Sequence, residues 1–231
     1  MFPLHDNIPS RSQPIVNWLV MVANVVIFLF VFGAGSSTER LVYDLGLVPA
    51  RFLADPLSGQ AATLFSSMFL HGGWLHLLFN MWALWIFGDN VEDRLGHGRY
   101  LLFYLFGGLA AAGAHLIFNA GSQIPTVGAS GAISAVMAAY LLLFPRARVV
   151  TLVPLFFLPW FVEIPALVYI VFWFLSQLFN GVLSVSAGAE AFGGVAWWAH
   201  IGGFVAGLVM LPLLARRRPG GGVRTGDLLP R

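Results

Sequence analysis

A serine, three histidines and an asparagine carry the chemistry open to this chain. Ser130 stands in Gly128-Ala129-Ser130-Gly131, His71 and His76 stand either side of Gly72-Gly73-Trp74-Leu75, Asn80 follows four residues later, and His200 precedes Gly203 and Gly207. A hydroxyl beside an imidazole can perform nucleophilic acyl transfer, with the imidazole taking the serine proton and returning it to the leaving group. Competing chemistries are absent. There is no cysteine, which excludes disulfides, thiolate nucleophiles and cysteine metal sites. No His-Glu-x-x-His occurs, so a zinc metalloprotease is excluded. His71 and His76 lie about 140° apart on a helix with two glycines between them, a poor arrangement for sharing a metal. No metal and no cofactor are expected.

The elements that must position these groups are membrane helices. The chain has 231 residues, is 58% hydrophobic with mean hydropathy +0.82, and is only 10% charged, against about 25% in soluble domains. That excludes a soluble globular enzyme, a disordered chain and a compact nucleic-acid binder. The fold class is an all-α membrane protein. Six apolar segments have spanning length: Ile15–Phe32, Thr63–Phe87, Arg99–Phe118, Thr126–Phe144, Phe161–Asn180 and Val195–Ala215. A tail of residues 1–14 precedes this 15–215 core, and a basic tail of residues 216–231 follows it. Val149–Pro159 is also apolar, but Pro154, Pro159 and Pro165 forbid one long helix, so it reads as a loop entering the fifth span. Gly33-Ala34-Gly35 would suit signal cleavage; the first span is nevertheless read as retained, because it is long for a signal core.

All the positive charge is arginine. Ten arginines fall in the alternate segments that include both termini, and only Arg40 and Arg51 fall in the other set. This positive-inside bias predicts two cytoplasmic termini in a cytoplasmic membrane, with residues 34–62, 119–125 and 181–194 outside. The Arg216–Arg218 run reads as a stop-transfer and headgroup anchor, not as a nucleic-acid site.

Depth then ties the polar groups together. Ser130 precedes Arg146 by 16 residues, His200 precedes Arg216 by 16, and His76 precedes Asp89 by 13. At 1.5 Å per residue these sit roughly 20–24 Å above the inner boundary, in one layer below the outer surface. His76 and Asn80, at i and i+4, share a helix face. Ser130 at a helix start has free backbone N–H groups beside it. Gly128 and Gly131 admit close backbone approach, and Gly203 and Gly207 let two membrane helices touch, bringing His200 toward Ser130. His115, Asn24, Gln177 and Asn180 have no accompanying motif and read as structural. Glu163 reads as an interfacial group, and His5 and His97 as aqueous.

In combination, His71-x4-His76-x3-Asn80, Gly128-Ala129-Ser130-Gly131 and His200-x2-Gly203-x3-Gly207 resemble the rhomboid family of intramembrane serine proteases, over roughly residues 15–215. Glu92-Asp93-Arg94 resembles the family's Glu-x-Arg element. The resemblance implies a compact six-transmembrane-helix rhomboid-like bundle that cleaves transmembrane helices of other membrane proteins near the outer face. It implies a Ser130–His200 dyad, with the oxyanion held by the Ser130 backbone N–H, His76 and Asn80. Gly128, Gly131, Gly203 and Gly207 support the site, and His71 serves its outer part or the first loop. The partners implied are membrane-protein substrates and the lipid bilayer. By the same analogy the fifth span and residues 181–194 form a gate and cap; Phe172, Trp173, Phe174 and Phe179 either pack loosely, which suits a helix that moves, or simply face lipid.

Two departures stand out. Residues 34–62 lack the tryptophan of the family's Trp-Arg pair, and Ser134 occupies a position where some members stack a tyrosine on the histidine. No carboxylate lies in the spans at this depth. Glu190, the nearest acid in sequence to His200, sits in a Gly/Ala/Ser-rich loop, so the reading is a dyad. Two alternatives stay open: an inactive relative that binds membrane helices, which would lack the serine or histidine, and a six-span transporter, which would need polar groups through both membrane halves.

Overall fold

The computed structural model describes residues 2–57, 59–155, 158–187 and 196–215. The first long helix, α1 (Ile15–Phe32), matches its predicted span. The segment that follows folds into two short helices, α2 (Thr38–Leu45) and α3 (Pro49–Ala54). Arg51 draws them together by donating to the carbonyls of Tyr43, Asp44 and Gly46 while lying 4.7 Å from the Tyr43 ring centroid. The loop thus takes its shape from an arginine without the tryptophan.

The second predicted span is corrected. Residues 63–69 form a separate short helix, α4 (Thr63–Ser66), followed by a 3₁₀ turn. The chain is extended at Leu70 and at Gly73, and the long helix α5 runs Trp74–Leu95. It ends at Gly96, whose φ of 80° favours glycine, and α6 (His97–Phe118) starts at once. After a loop come α7 (Ser130–Leu143), α8 (Ala166–Ala187) and α9 (Trp197–Leu214). Helix α8 starts later than predicted and runs through residues 181–187, which had been assigned to an outer loop.

The expected loop at Val149–Pro159 is instead largely strand. Strands β2 (Arg148–Leu155) and β3 (Leu158–Pro165) form an antiparallel hairpin with Pro154 opposite Pro159. Strand β1 (Phe2–Asp6) joins the other edge of β2, giving the order β1-β2-β3. The prolines that forbid a helix are tolerated here because they lie near the hairpin tip and at the end of a strand. Apart from them the two strands are rich in Val, Leu, Thr, Ile and aromatics, most of which favour strands. Glu163 lies on β3, 3.5 Å from Arg148. The N-terminal tail is therefore docked: Ser10 donates to Asp89, and Ser12 donates to Asp93 through both its N–H and its hydroxyl.

Glu92 anchors α1. Pro14 offers no side-chain cap, so the first N–H groups of the helix need outside acceptors. The fully buried Glu92 carboxylate accepts from Val16 N and Asn17 N at 2.9 and 2.7 Å, an anion at a helix N-terminus. It also pairs with His97 at 2.5 Å, so His97 is a half-exposed partner of Glu92 and not a free aqueous group.

Helices α1, α6, α8 and α9 are long and apolar enough to cross a membrane; α7 is apolar but has only 14 residues. The last turns of α5 carry Asp89, Glu92, Asp93 and Arg94. Helix α7 is the centre of the bundle: every residue from Gly131 to Tyr140 is buried. Peripheral helices turn large apolar groups outward, among them Phe30, Phe172 and Leu213, as lipid contact requires. Phe172 and Phe179 are exposed, but Phe174 stacks on Phe204 at 4.3 Å between centroids, so the inner face of α8 is packed and not loose.

Candidate active site

Ser130 is the first residue of α7. The chain entering it is held extended: Leu47 and Thr126 exchange backbone bonds of 3.1 and 2.8 Å, and Gly128 N donates to Ser67 O at 2.9 Å. Gly128 has φ 132°, and a Cβ there would lie 2.7 Å from His76 Nε2 and 3.5 Å from Ser130 Oγ. Only glycine fits, and one backbone point adjoins both side chains. His115, buried behind this segment, is bonded to Thr126 Oγ1 at 2.7 Å, which suits the structural role expected of it.

His200 lies in the first turn of α9. Helices α7 and α9 meet backbone to backbone. A Cβ on Gly203 would fall 2.0 Å from Gly131 O, and one on Gly207 2.4 Å from Ala135 O. Gly131 in turn faces Ala111 of α6, whose Cβ would be 2.5 Å from its own. This close contact leaves His200 Nε2 2.8 Å from Ser130 Oγ, although the residues are 70 apart in sequence.

The remaining expected residues gather on α5 and just before it. His76 sits beside Gly128, and the buried His71 ring meets it edge-on at 5.1 Å. Asn80, one turn further along the same face, is buried, and its Nδ2 has no hydrogen-bond partner among the described residues. An unpaired buried donor is costly, and this one is left able to donate to a group that enters the site. A recess of about 30 Å³ beside Ser130 is lined by Ser67, Met68, Gly108, Thr126, Gly131 and Ala199, among others. Glu190 lies outside the described residues, as does the basic tail.

One residue read as structural is not remote from the site. Gln177 of α8 is buried, and its Oε1 lies 2.7 Å from His200 Nδ1. The signal was an amide near the middle of α8, but nothing in sequence ties that helix face to His200. Trp173, one turn earlier, places its ring 5.9 Å from the imidazole. These two flank the ring, while Ser134 donates to Ser130 O at 2.6 Å. Asn180 and Asn24 donate to carbonyls of their own helices, those of Ser176 and Val20.

This geometry coincides with a match over most of the chain: the Rhomboid domain family model fits residues 58–217. The chain belongs to the rhomboid family. Among curated relatives it is 35% identical over 134 residues to "Rhomboid protease GluP" of Bacillus subtilis, covering 57% of this chain and 25% of that protein. It is 27% identical over 208 residues to "RHOMBOID-like protein 12, mitochondrial" of Arabidopsis thaliana, covering 81% and 58%. It is 29% identical over 108 residues to "Rhomboid protease GlpG" of Salmonella typhi, covering 47% and 37%. The chain thus spans a quarter to three fifths of the length of these relatives. Family membership and the long apolar helices make this rhomboid a multi-pass membrane protein.

Proposed function

We propose that this rhomboid is an intramembrane serine endopeptidase that cleaves transmembrane helices of other membrane proteins. The observation that carries the reading is the 2.8 Å approach of His200 Nε2 to Ser130 Oγ. Ser130 attacks the scissile carbonyl, His200 takes its proton, and the proton passes to the leaving amine. The acyl-enzyme is then hydrolysed by water activated in the same way.

The tetrahedral oxygen needs preorganised donors. The Ser130 N–H at the start of α7, His76 and the unpaired Nδ2 of Asn80 supply them. The recess beside Ser130, walled by glycine and alanine with Met68 and Ser67, admits a small side chain next to the scissile bond. A helical substrate hides its peptide bonds, so it must unwind locally to reach Ser130. Retention of both hydroxyl and imidazole favours hydrolysis over the non-catalytic, helix-binding reading.

In this reading α1, α5, α6, α7, α8 and α9 are the six crossings. Both termini are cytoplasmic and the site opens to the outer side of a cytoplasmic membrane, supported by the arginine distribution. A C-terminal tag is then protected from external protease in intact cells. The deciding experiment compares wild type, Ser130→Ala and His200→Ala in liposomes with a single-span substrate. Cleavage and fluorophosphonate labelling are expected for wild type alone; equal cleavage by Ser130→Ala overturns the mechanism.

A further inference from the structure

His200 has two ring nitrogens, and the proposed reaction works only if Nε2 is the basic one. That condition is met when the neutral ring carries its proton on Nδ1. In many hydrolases a buried carboxylate holds that proton; among the described residues no carboxylate bonds His200. The group that faces Nδ1 is the Gln177 amide, 2.7 Å away.

An amide can present either oxygen or nitrogen, and its other bonds decide which. Gln177 Nε2 lies 3.2 Å from Trp173 O and 2.9 Å from Ser176 Oγ. A backbone carbonyl only accepts, so the nitrogen must face Trp173. Ser176 supports this, because its hydroxyl proton is already committed to Trp173 O at 2.6 Å, leaving its oxygen to accept from Gln177. The amide oxygen is therefore turned to His200. Since that oxygen only accepts, Nδ1 must be the protonated nitrogen, and the Nε2 lone pair points at Ser130.

We propose that Gln177 is a positioning residue that sets the reactive tautomer of His200, in place of a triad carboxylate. The inference rests on the hydrolase reading above. When Nε2 takes the serine proton the ring becomes a cation, and the bond from Nδ1–H to the amide oxygen becomes charge-assisted and stronger. The amide thus favours the protonated state that forms during attack. Its acceptor comes from α8, whereas the reacting atoms sit on α7 and α9, so the correct tautomer depends on α8 being seated against α9.

The test uses the full chain purified in detergent, with Gln177→Met, which keeps length but lacks an acceptor, and Gln177→Glu, which restores one. Gln177→Met is expected to lower kcat for a single-span substrate, and the fluorophosphonate labelling rate of Ser130, by about 10- to 100-fold, with KM nearly unchanged. Gln177→Glu is expected to recover labelling. Nitrogen-15 NMR of His200 should show a single Nδ1–H form in wild type and a mixture of tautomers in Gln177→Met. Wild-type labelling by Gln177→Met, or a loss that Gln177→Glu does not rescue, overturns the inference. Failure is distinguishable from that of the parent reading: if cleavage depends on Ser130 but Gln177→Met behaves as wild type, only the positioning role falls. If cleavage is independent of Ser130, the hydrolase reading falls with it.

Discussion

Gly203→Ala should separate Ser130 from His200 without touching either side chain. The Cβ it adds lies 2.0 Å from Gly131 O and 2.9 Å from Gly131 C, both backbone atoms that cannot rotate away. Real Cβ atoms essentially never approach closer than 3.0 Å, so α9 must withdraw from α7 by about 1 Å in a tightly packed interior. Carried to His200, that shift stretches the 2.8 Å contact with Ser130 beyond normal hydrogen-bond length. A misplacement of about 1 Å costs a rate factor on the order of 100. Overpacking itself costs about 1–3 kcal/mol, so much of the protein stays folded. The control is Gly113→Ala on α6, where a Cβ meets nothing within 4 Å. Substrate turnover, Ser130 labelling and the thermal midpoint are measured on both variants in detergent. Expected are a folded Gly203→Ala protein with labelling reduced about 100-fold and a Gly113→Ala protein like wild type. Wild-type labelling by Gly203→Ala would refute the claim that this backbone contact sets the dyad.

Asn80→Ala should lower kcat by about 10²–10³-fold, the usual loss for one oxyanion donor, with KM little changed; a change confined to KM would assign Asn80 to substrate binding. Glu92→Ala strands the N–H groups of Val16 and Asn17, at about 1–3 kcal/mol for each unsatisfied group. Its thermal midpoint should fall sharply, and an unchanged midpoint would contradict the anchoring of α1. Asp6, outside the membrane helices, has its carboxyl pushed up to about 6 by burial, with a Tyr140 hydrogen bond opposing and the Asp89 charge adding to the rise. The folded chain therefore binds this proton more tightly than the unfolded one does between about pH 6 and 4. Stability should rise as pH falls through that window, and Asp6→Asn should remove that part of the pH dependence; identical pH curves for the two proteins would refute it.

The long apolar helices and the meeting of Ser130 with His200 were legible because hydropathy and residue counting report spacing along a helix directly. Ser130 and His200 stood at one level on paper and meet in space. Residues 63–73 misled because they are as apolar as the helix they precede, so only Gly72-Gly73 hinted at the break before α5. The β2–β3 hairpin was missed because proline was read as a loop marker, whereas opposed prolines near a hairpin tip leave the ladder largely intact. Gln177 was undervalued for a different reason. Helical rotation about the bundle is invisible in a single sequence, and whether an amide on α8 faces lipid or imidazole is decided by that rotation alone. Glu92 carried a family motif, yet its task at the start of α1 depends on two chain segments far apart in sequence.

The 14 residues of α7 span roughly 21 Å, about 9 Å less than a hydrocarbon core of about 30 Å. Ordinarily such a hydrophobic mismatch would thin the surrounding lipid. Here the short helix is walled in by its neighbours, and large outward-facing apolar side chains are carried by 18- to 22-residue helices such as α1 and α6 instead. In the proposed membrane placement, the level of Ser130 is therefore set by the protein and decoupled from bilayer thickness. Changing acyl-chain length should alter how substrate helices arrive while leaving the labelling rate of Ser130 by a small water-soluble probe constant.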